Sequence, residues 1–320
     1  MVSHIQPPNR TVSDQRAWTA RAIDEPSSWY DPLPDACLAV LDEIISDFRR
    51  NPQLPTAVRM TAPQAAACAE GLRPVLTALE SGRGFAILDR VPLERYSPAE
   101  AQVAYWVVGQ GLGRPFEQNV QGTLLYDVRD TGQDVRYGAR FSVTNAASTF
   151  HTDNSFGSEV VDYVGLLCLN AARAGGLNQV VSGYTVCNEL QRNHPDVLDM
   201  LRRPFHIDRR GGVRQGESAT ARLPVVQWDD RGLTLRYLRY WIEAGHDKAG
   251  EPLTPAQVRA LNVLDGQLAR RDLVAEFGLE PGQMFFINNR WILHNRTGFE
   301  DHAEPERRRH LVRLWLQAET

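Results

Sequence analysis

Phe150-His151-Thr152-Asp153-Asn154 places an imidazole and a carboxylate two positions apart. On an extended segment, residues i and i+2 point to the same face, so His151 and Asp153 would stand side by side. A neutral imidazole beside a carboxylate suits a divalent first-row metal ion. Far along the chain, Asn288-Asn-Arg-Trp-Ile-Leu-His294 offers a second imidazole after the apolar run Met284 to Ile287. Two histidines and one carboxylate on one face of a metal leave the opposite positions open, as in non-haem iron(II) oxygenases. Nothing in that chemistry requires the third ligand to be local. Read from the residues alone, an isolated HxD and a histidine satisfied within a core are equally admissible.

A third group lies in Glu306-Arg-Arg-Arg309-His-Leu-Val-Arg313-Leu-Trp-Leu316. If this is a strand, Arg309, Leu311 and Arg313 share one side, and His310, Val312 and Leu314 share the other. Two inward guanidiniums each demand an anion, because a buried unpaired charge is costly. A carboxylate gripped through two parallel hydrogen bonds is the natural partner. The alternative is a solvated basic run paired with Glu304 and Glu306.

The elements that must position these groups divide the chain in two. Residues 1–35 are rich in Pro, Ser and Asp and carry Trp18, Trp29 and Tyr30, which suggests an extended arm packed by its aromatics. Leu38, Leu41, Ile44, Ile45 and Phe48 recur at helical spacing between Asp35 and Arg50. A second helix is expected over 62–79, ended by Ser81-Gly-Arg-Gly84, and a third from Ser97 to about Gly111, with Ser97 as cap and Pro98 at the first helical position. Together they form a helical buttress over about 36–112. Beyond it, short β-type runs are expected at 166–169, 179–181, 225–228, 233–238, 284–288 and 310–316, with one more helix between Thr254 and Phe277. Helices first and short strands later predict a mainly β core with flanking helices, in a single domain over 1–320.

Composition narrows the class. The 320 residues carry 35 Lys and Arg against 39 Asp and Glu, a net charge of −4 that leaves no global basic field for nucleic acid or an anionic membrane. No run approaches the roughly 18 apolar residues of a membrane span, and the N-terminus lacks the charged and apolar regions of a secretory signal. Cys37, Cys68, Cys168 and Cys187 show no CxxC pair and read as reduced thiols, so a cytoplasmic location is expected.

Taken in order, the HxD, the distal histidine behind Asn289-Arg290 and the Arg-x-x-x-Arg strand resemble the taurine dioxygenase and clavaminate synthase-like family of iron(II)- and 2-oxoglutarate-dependent oxygenases. Gly175-Gly176-Leu-Asn-Gln-Val-Val-Ser182 matches the family's Gly-Gly turn before a strand, and Glu304-Pro-Glu-Arg-Arg-Arg309 also fits. The resemblance covers about residues 80–318. It implies a distorted double-stranded β-helix (jelly roll), with His151, Asp153 and His294 as iron ligands. It also implies Arg309 as the clamp on the distal carboxylate of 2-oxoglutarate and Arg313 as a contact to an anionic group of the substrate. Where the family usually has Thr or Ser after the turn, this chain has Asn178, whose amide can still donate to a carboxylate. Relatives that halogenate lack the carboxylate, so Asp153 points to oxygen chemistry. The implied activity is hydroxylation of a small molecule bearing an amino-acid-like or other carboxylate group, with 2-oxoglutarate and O2 consumed and succinate and CO2 released. The alternatives are desaturation or cyclisation by the same iron chemistry, a zinc-dependent hydrolase or isomerase, and a binding protein that kept the fold.

Around this centre, Asn119, Tyr126 and Asn154 are candidate substrate contacts, with Asn145 as a weaker co-substrate contact. Arg209 to Glu217 has the glycines of a mobile loop. His206, His302 and His310 read as structural, and Trp228, Tyr237, Tyr240 and Trp241 as core or pocket wall. The aromatic arm could embrace a neighbouring subunit, giving a homo-oligomer.

Overall fold

The computed structural model describes residues 11–319 apart from 24, 135–139, 211, 212, 214 and 215. Its main sheet runs β1 (Tyr30–Pro32), β2 (Phe85–Asp89), β13 (Met284–Asn288), β5 (Tyr163–Asn170), β16 (His310–Gln317) and β3 (Arg114–Phe116), with β4 (Leu125–Val128) also paired to β16. β1 joins β2 in parallel, and the other pairings are antiparallel. A second sheet holds β12 (Ala275–Phe277), β7 (Asn178–Ser182) and β14 (Ile292–Arg296) in that order. Three two-stranded ribbons complete the β structure. They pair β6 (Ala174–Gly175) with β15 (Phe299–Glu300), β8 (Pro204–Asp208) with β9 (Thr220–Pro224), and β10 (Val226–Asp229) with β11 (Gly232–Leu235).

Period-two alternation in the central strands explains why helices cover one face of the main sheet and a cavity opens on the other. On β5, Tyr163, Leu167 and Leu169 pack outward, whereas Val164 and Cys168 face inward. On β13, Met284 and Phe286 go out and Phe285 and Ile287 go in. On β16, Val312, Leu314 and Leu316 go out and Leu311 and Trp315 go in. A strand apolar on both faces is stable only if both are covered. The outer cover is α1 (Asp35–Arg50), α2 (Ala62–Gly71), α3 (Arg73–Glu80) and α4 (Pro98–Leu112). α4 begins with a capping box between Ser97 and Glu100 and is buried nearly all round. A Cβ on Gly109 would lie 2.3 Å from Leu314 Cδ2, so the glycine sets how closely α4 approaches the sheet. The other core joins both sheets to α5 (Gly183–Asn193), α6 (Pro195–Leu201), α7 (Arg239–Ala249) and α8 (Pro255–Leu268).

Two expected helices differ from the structure. The helix over 62–79 is two helices broken at Leu72, and Pro74, which has no N–H to donate, sits in the first turn of the second. The helix expected between Thr254 and Phe277 is present as Pro255–Leu268, shorter than that interval, and Ala275–Phe277 is a strand on the edge of the second sheet. The expected strands are present with ends moved by a few residues, although the run 233–238 stops at Leu235.

Within the described part of the arm, Trp18, Trp29 and Leu33 are buried against the same chain. Trp18 donates its indole N–H to the Arg83 carbonyl (2.7 Å), and Trp18 and Trp29 both pack edge-on to Phe85. Among the described residues no helix is long and apolar enough to cross a membrane.

Candidate active site

His151 and His294 face each other across a two-residue β-bridge. Each backbone N–H donates to the other's carbonyl, at 3.0 and 2.9 Å, which brings the imidazole centroids to 4.2 Å. β14 fixes His294, opposite Val180 of β7. Thr152 points away, its hydroxyl donating to the Leu235 carbonyl and accepting from the Tyr237 N–H. That anchor turns both neighbours, His151 and Asp153, toward the cavity. Asp153 Oδ1 lies 3.6 Å from His151 Nε2, and one ligand atom from each of His151, Asp153 and His294 falls within 4.8 Å of the others.

The Asn-Asn-Arg stretch proves to be scaffolding for this meeting. Asn289 Oδ1 accepts from the Asp153 N–H (2.7 Å), and its amide donates to the carbonyls of Asp153 and Val161. Arg290 pairs with Asp229, and Asn288 donates to the Leu79 carbonyl. The turn carrying His294 is thus tied to the loop carrying Asp153.

Electrostatics keep the triad in metal-ready protonation states. Burial depresses the His151 imidazole. His294 is pushed down to about 3 by burial and then by His151. The His151 Nδ1–H donates to the Thr149 carbonyl (2.7 Å), which leaves Nε2 with its lone pair free. Burial pushes the Asp153 carboxyl up, but Arg313, the two histidines and the Trp315 N–H outweigh it and hold it at about 2. Asp153 Oδ2 accepts from Arg313 Nη1 (3.1 Å) and Trp315 Nε1 (2.8 Å).

The three residues line a cavity of about 480 Å³ between the sheets. Arg309 also lines it, 3% exposed, and its buried Nη1 has no hydrogen-bond partner. Its guanidinium lies on the Phe299 ring and beside Gly176, and burial lowers its pKa to about 10. Gly175 and Gly176 both have positive φ, and a Cβ on Gly175 would meet the Gly298 carbonyl at 2.3 Å. The Gly-Gly turn therefore makes room for the two segments that wrap Arg309. Asn178, also buried, lines the same cavity. An orphaned buried guanidinium fits a carboxylate ligand, and two imidazoles with one carboxylate fit a divalent metal.

The other expected contacts divide. Asn154 lines the cavity, as do Tyr240 and Trp241. Arg313 lines it too, but its Nε donates to Gln118 Oε1 (2.8 Å) and its Nη1 to Asp153, so its engagements are internal. Asn119 does not line it: its side chain closes a turn by accepting from Gln121 and Thr123 N–H groups. Tyr126 stacks beneath Arg313 (5.2 Å) and is likewise outside the cavity lining. Asn145 contributes a carbonyl to the Phe299 N–H. Part of the loop 209–217 lies outside the described residues, and Arg209 pairs with Glu217 at its neck (3.1 Å). His206 and His310 are structural, bonded to Glu251 and Asp127.

Gln118, Trp315 and Arg296 are among the lining residues not singled out from sequence. Gln118 and Trp315 are described above. Arg296 donates to the carbonyls of Thr144 and Ala146 and shares the Phe299 ring with Arg309. Arg296 follows His294 by two positions on a strand, so the spacing rule that found Asp153 would also have found it.

The model of the family "Taurine catabolism dioxygenase TauD, TfdA family" matches residues 51–315, and the chain belongs to that family. It is an iron(II)- and 2-oxoglutarate-dependent dioxygenase that uses O2. FR-33289 synthase of Streptomyces rubellomurinus (strain ATCC 31215) is 26% identical over 315 residues, covering 97% of this chain and 91% of that protein. Among solved structures, asparagine oxygenase with Fe(II), 2S,3S-3-hydroxyasparagine and succinate superposes with a TM-score of 0.68 at 20% identity, covering 90% of this chain and 93% of the other. The non-heme iron oxygenase OrfP with Fe and alpha-ketoglutaric acid gives 0.67 at 17% identity, covering 91% and 94%. These likenesses establish the jelly-roll fold.

Proposed function

We propose that His151, Asp153 and His294 hold the iron, that Arg309 and Asn178 hold the distal carboxylate of 2-oxoglutarate, and that the enzyme hydroxylates a small amino-acid-like or carboxylate-bearing substrate. The observation that carries this reading is the orphaned guanidinium of Arg309 in the same cavity as the paired imidazoles. A hydrolase has no use for that clamp, and family membership argues against the zinc alternative.

When bound, iron and 2-oxoglutarate supply the activation of O2 that oxidises a C–H bond. The chain's part is binding, orientation and exclusion of water. Arg309 sits at the end of a rigid strand, so it fixes a diacid in one direction. Phe285, Leu166, Val164 and Trp315 make the inner wall apolar. Arg313, between Gln118 and Asp153, is one of several arginines lining the cavity that a substrate carboxylate could meet. The solved neighbours asparagine oxygenase and OrfP hold 2S,3S-3-hydroxyasparagine and L-Arg, which favours the same class. Four buried, unpaired cysteines favour a reducing cytoplasm, and neither nucleic acid nor membrane is proposed as a partner.

The test is anaerobic addition of Fe(II) and 2-oxoglutarate. The wild type should develop the visible metal-to-ligand band, and Asp153→Ala should not. Substrate-stimulated succinate formation across free amino acids, sulfonates and carrier-tethered acids then identifies the substrate class. Absence of the band in the wild type would sink the assignment.

A further inference from the structure

We propose that Trp315 is a positioning residue that holds the Asp153 carboxylate in a one-oxygen ligating pose, independently of Arg313. The proposal rests on the metal reading of Asp153 given above.

A carboxylate has two oxygens, and either or both can reach a metal. Here the two are not equivalent. Oδ1 is the oxygen 3.6 Å from His151 Nε2, while Oδ2 carries both donors from β16. Trp315 is 6% exposed, and its indole N–H, which can only donate, has Asp153 Oδ2 as its partner at 2.8 Å. The ring is wedged against Phe116 and lies 5.0 Å from the Arg313 guanidinium.

The two donors differ in how securely they are held. Arg313 is a long side chain that lines the cavity, is shared with Gln118, and carries a charge that an anionic substrate would attract. Trp315 has two side-chain torsions, a packed ring and no charge for a substrate to attract. When Arg313 turns to a substrate, Trp315 still occupies Oδ2. The second oxygen then stays off the metal, and the positions needed by 2-oxoglutarate and O2 stay open. Outer hydrogen bonds of this kind commonly change metal affinity by roughly 10–100-fold.

The test compares wild type with Trp315→Phe and with a protein carrying β-(3-benzothienyl)alanine at 315, which keeps the bicyclic shape but lacks the N–H. Fe(II) affinity is measured anaerobically on the full chain, then the visible band on adding 2-oxoglutarate, then the melting temperature of the metal-free protein. The expected result is Fe(II) binding weakened about tenfold or more in both variants. The band should be shifted or weakened, with little change in metal-free melting for the isosteric variant. If Trp315→Phe fails to fold, the isosteric variant decides. An Fe(II) affinity within about twofold of wild type in that variant would overturn the positioning role. A wild type that takes up no Fe(II) would instead overturn the metal assignment itself.

Discussion

Arg309 carries a buried positive charge with no acid at its Nη1, and that is the condition under which one residue can dominate co-substrate affinity. Losing a hydrogen bond to a charged group costs about 1.5–3 kcal/mol, or roughly 10–150-fold in binding. Arg309→Ala should therefore raise the KM for 2-oxoglutarate by about that factor while Fe(II) affinity stays near wild type, as titration in the absence of 2-oxoglutarate would show. Arg309→Lys should recover only part of the loss, since an ammonium cannot present the two parallel donors. Asn178→Ala removes a neutral contact, for which about 0.5–1.5 kcal/mol is expected, so 2-oxoglutarate KM should rise by only a few-fold. Asn178→Ser should rescue it if a short donor suffices. The family resemblance supplied His294 and the clamp role of Arg309, while the side-by-side pairing of His151 and Asp153 was legible from period-two alternation. Gln118 was not, because its role arises from the register that sets it against Arg313, 195 residues away. Asn119 and Tyr126 were named because the corresponding stretch in the family often covers the substrate; here the side chain of one closes a local turn and the ring of the other lies against Arg313.

At the scale of elements, the strands announced themselves by alternation and the helices by caps, but breaks within apolar stretches did not. Residues 62–79 read as one helix because the apolar pattern continues through Leu72, while Pro74 starts a new one. The interval 254–277 held one expected helix; the apolar residues of its tail fit either period, and pairing with β7 makes that tail a strand. Caps can be tested directly. Ser97→Ala removes the acceptor for the Glu100 N–H and should destabilise the protein by about 1 kcal/mol in a urea titration. Gly84 is a harsher case. It holds φ +80°, and a Cβ there would lie 2.2 Å from Trp291 Cη2, so Gly84→Ala combines backbone strain with overpacking. A loss of roughly 2 kcal/mol or more is expected by the same titration.

For the molecule as a whole, the described arm packs Trp18 and Trp29 against Phe85 of its own chain. Trp18→Ala removes a buried ring and its bond to the Arg83 carbonyl, and should cost about 3–5 kcal/mol. Because the contact is within the chain, the loss should be the same at low and high protein concentration, whereas a subunit contact would make it concentration-dependent. The mutual backbone bridge between residues 151 and 294 has a consequence of its own. It brings the two imidazoles together through backbone hydrogen bonds. Such a nest of nitrogen and oxygen donors follows the general rise in affinity from manganese to copper and does little to favour ferrous ion over its competitors. Correct loading then depends on which ions the cell makes available, and purification over nickel or in zinc-bearing buffer should yield mismetallated, silent protein that chelation followed by ferrous salt revives.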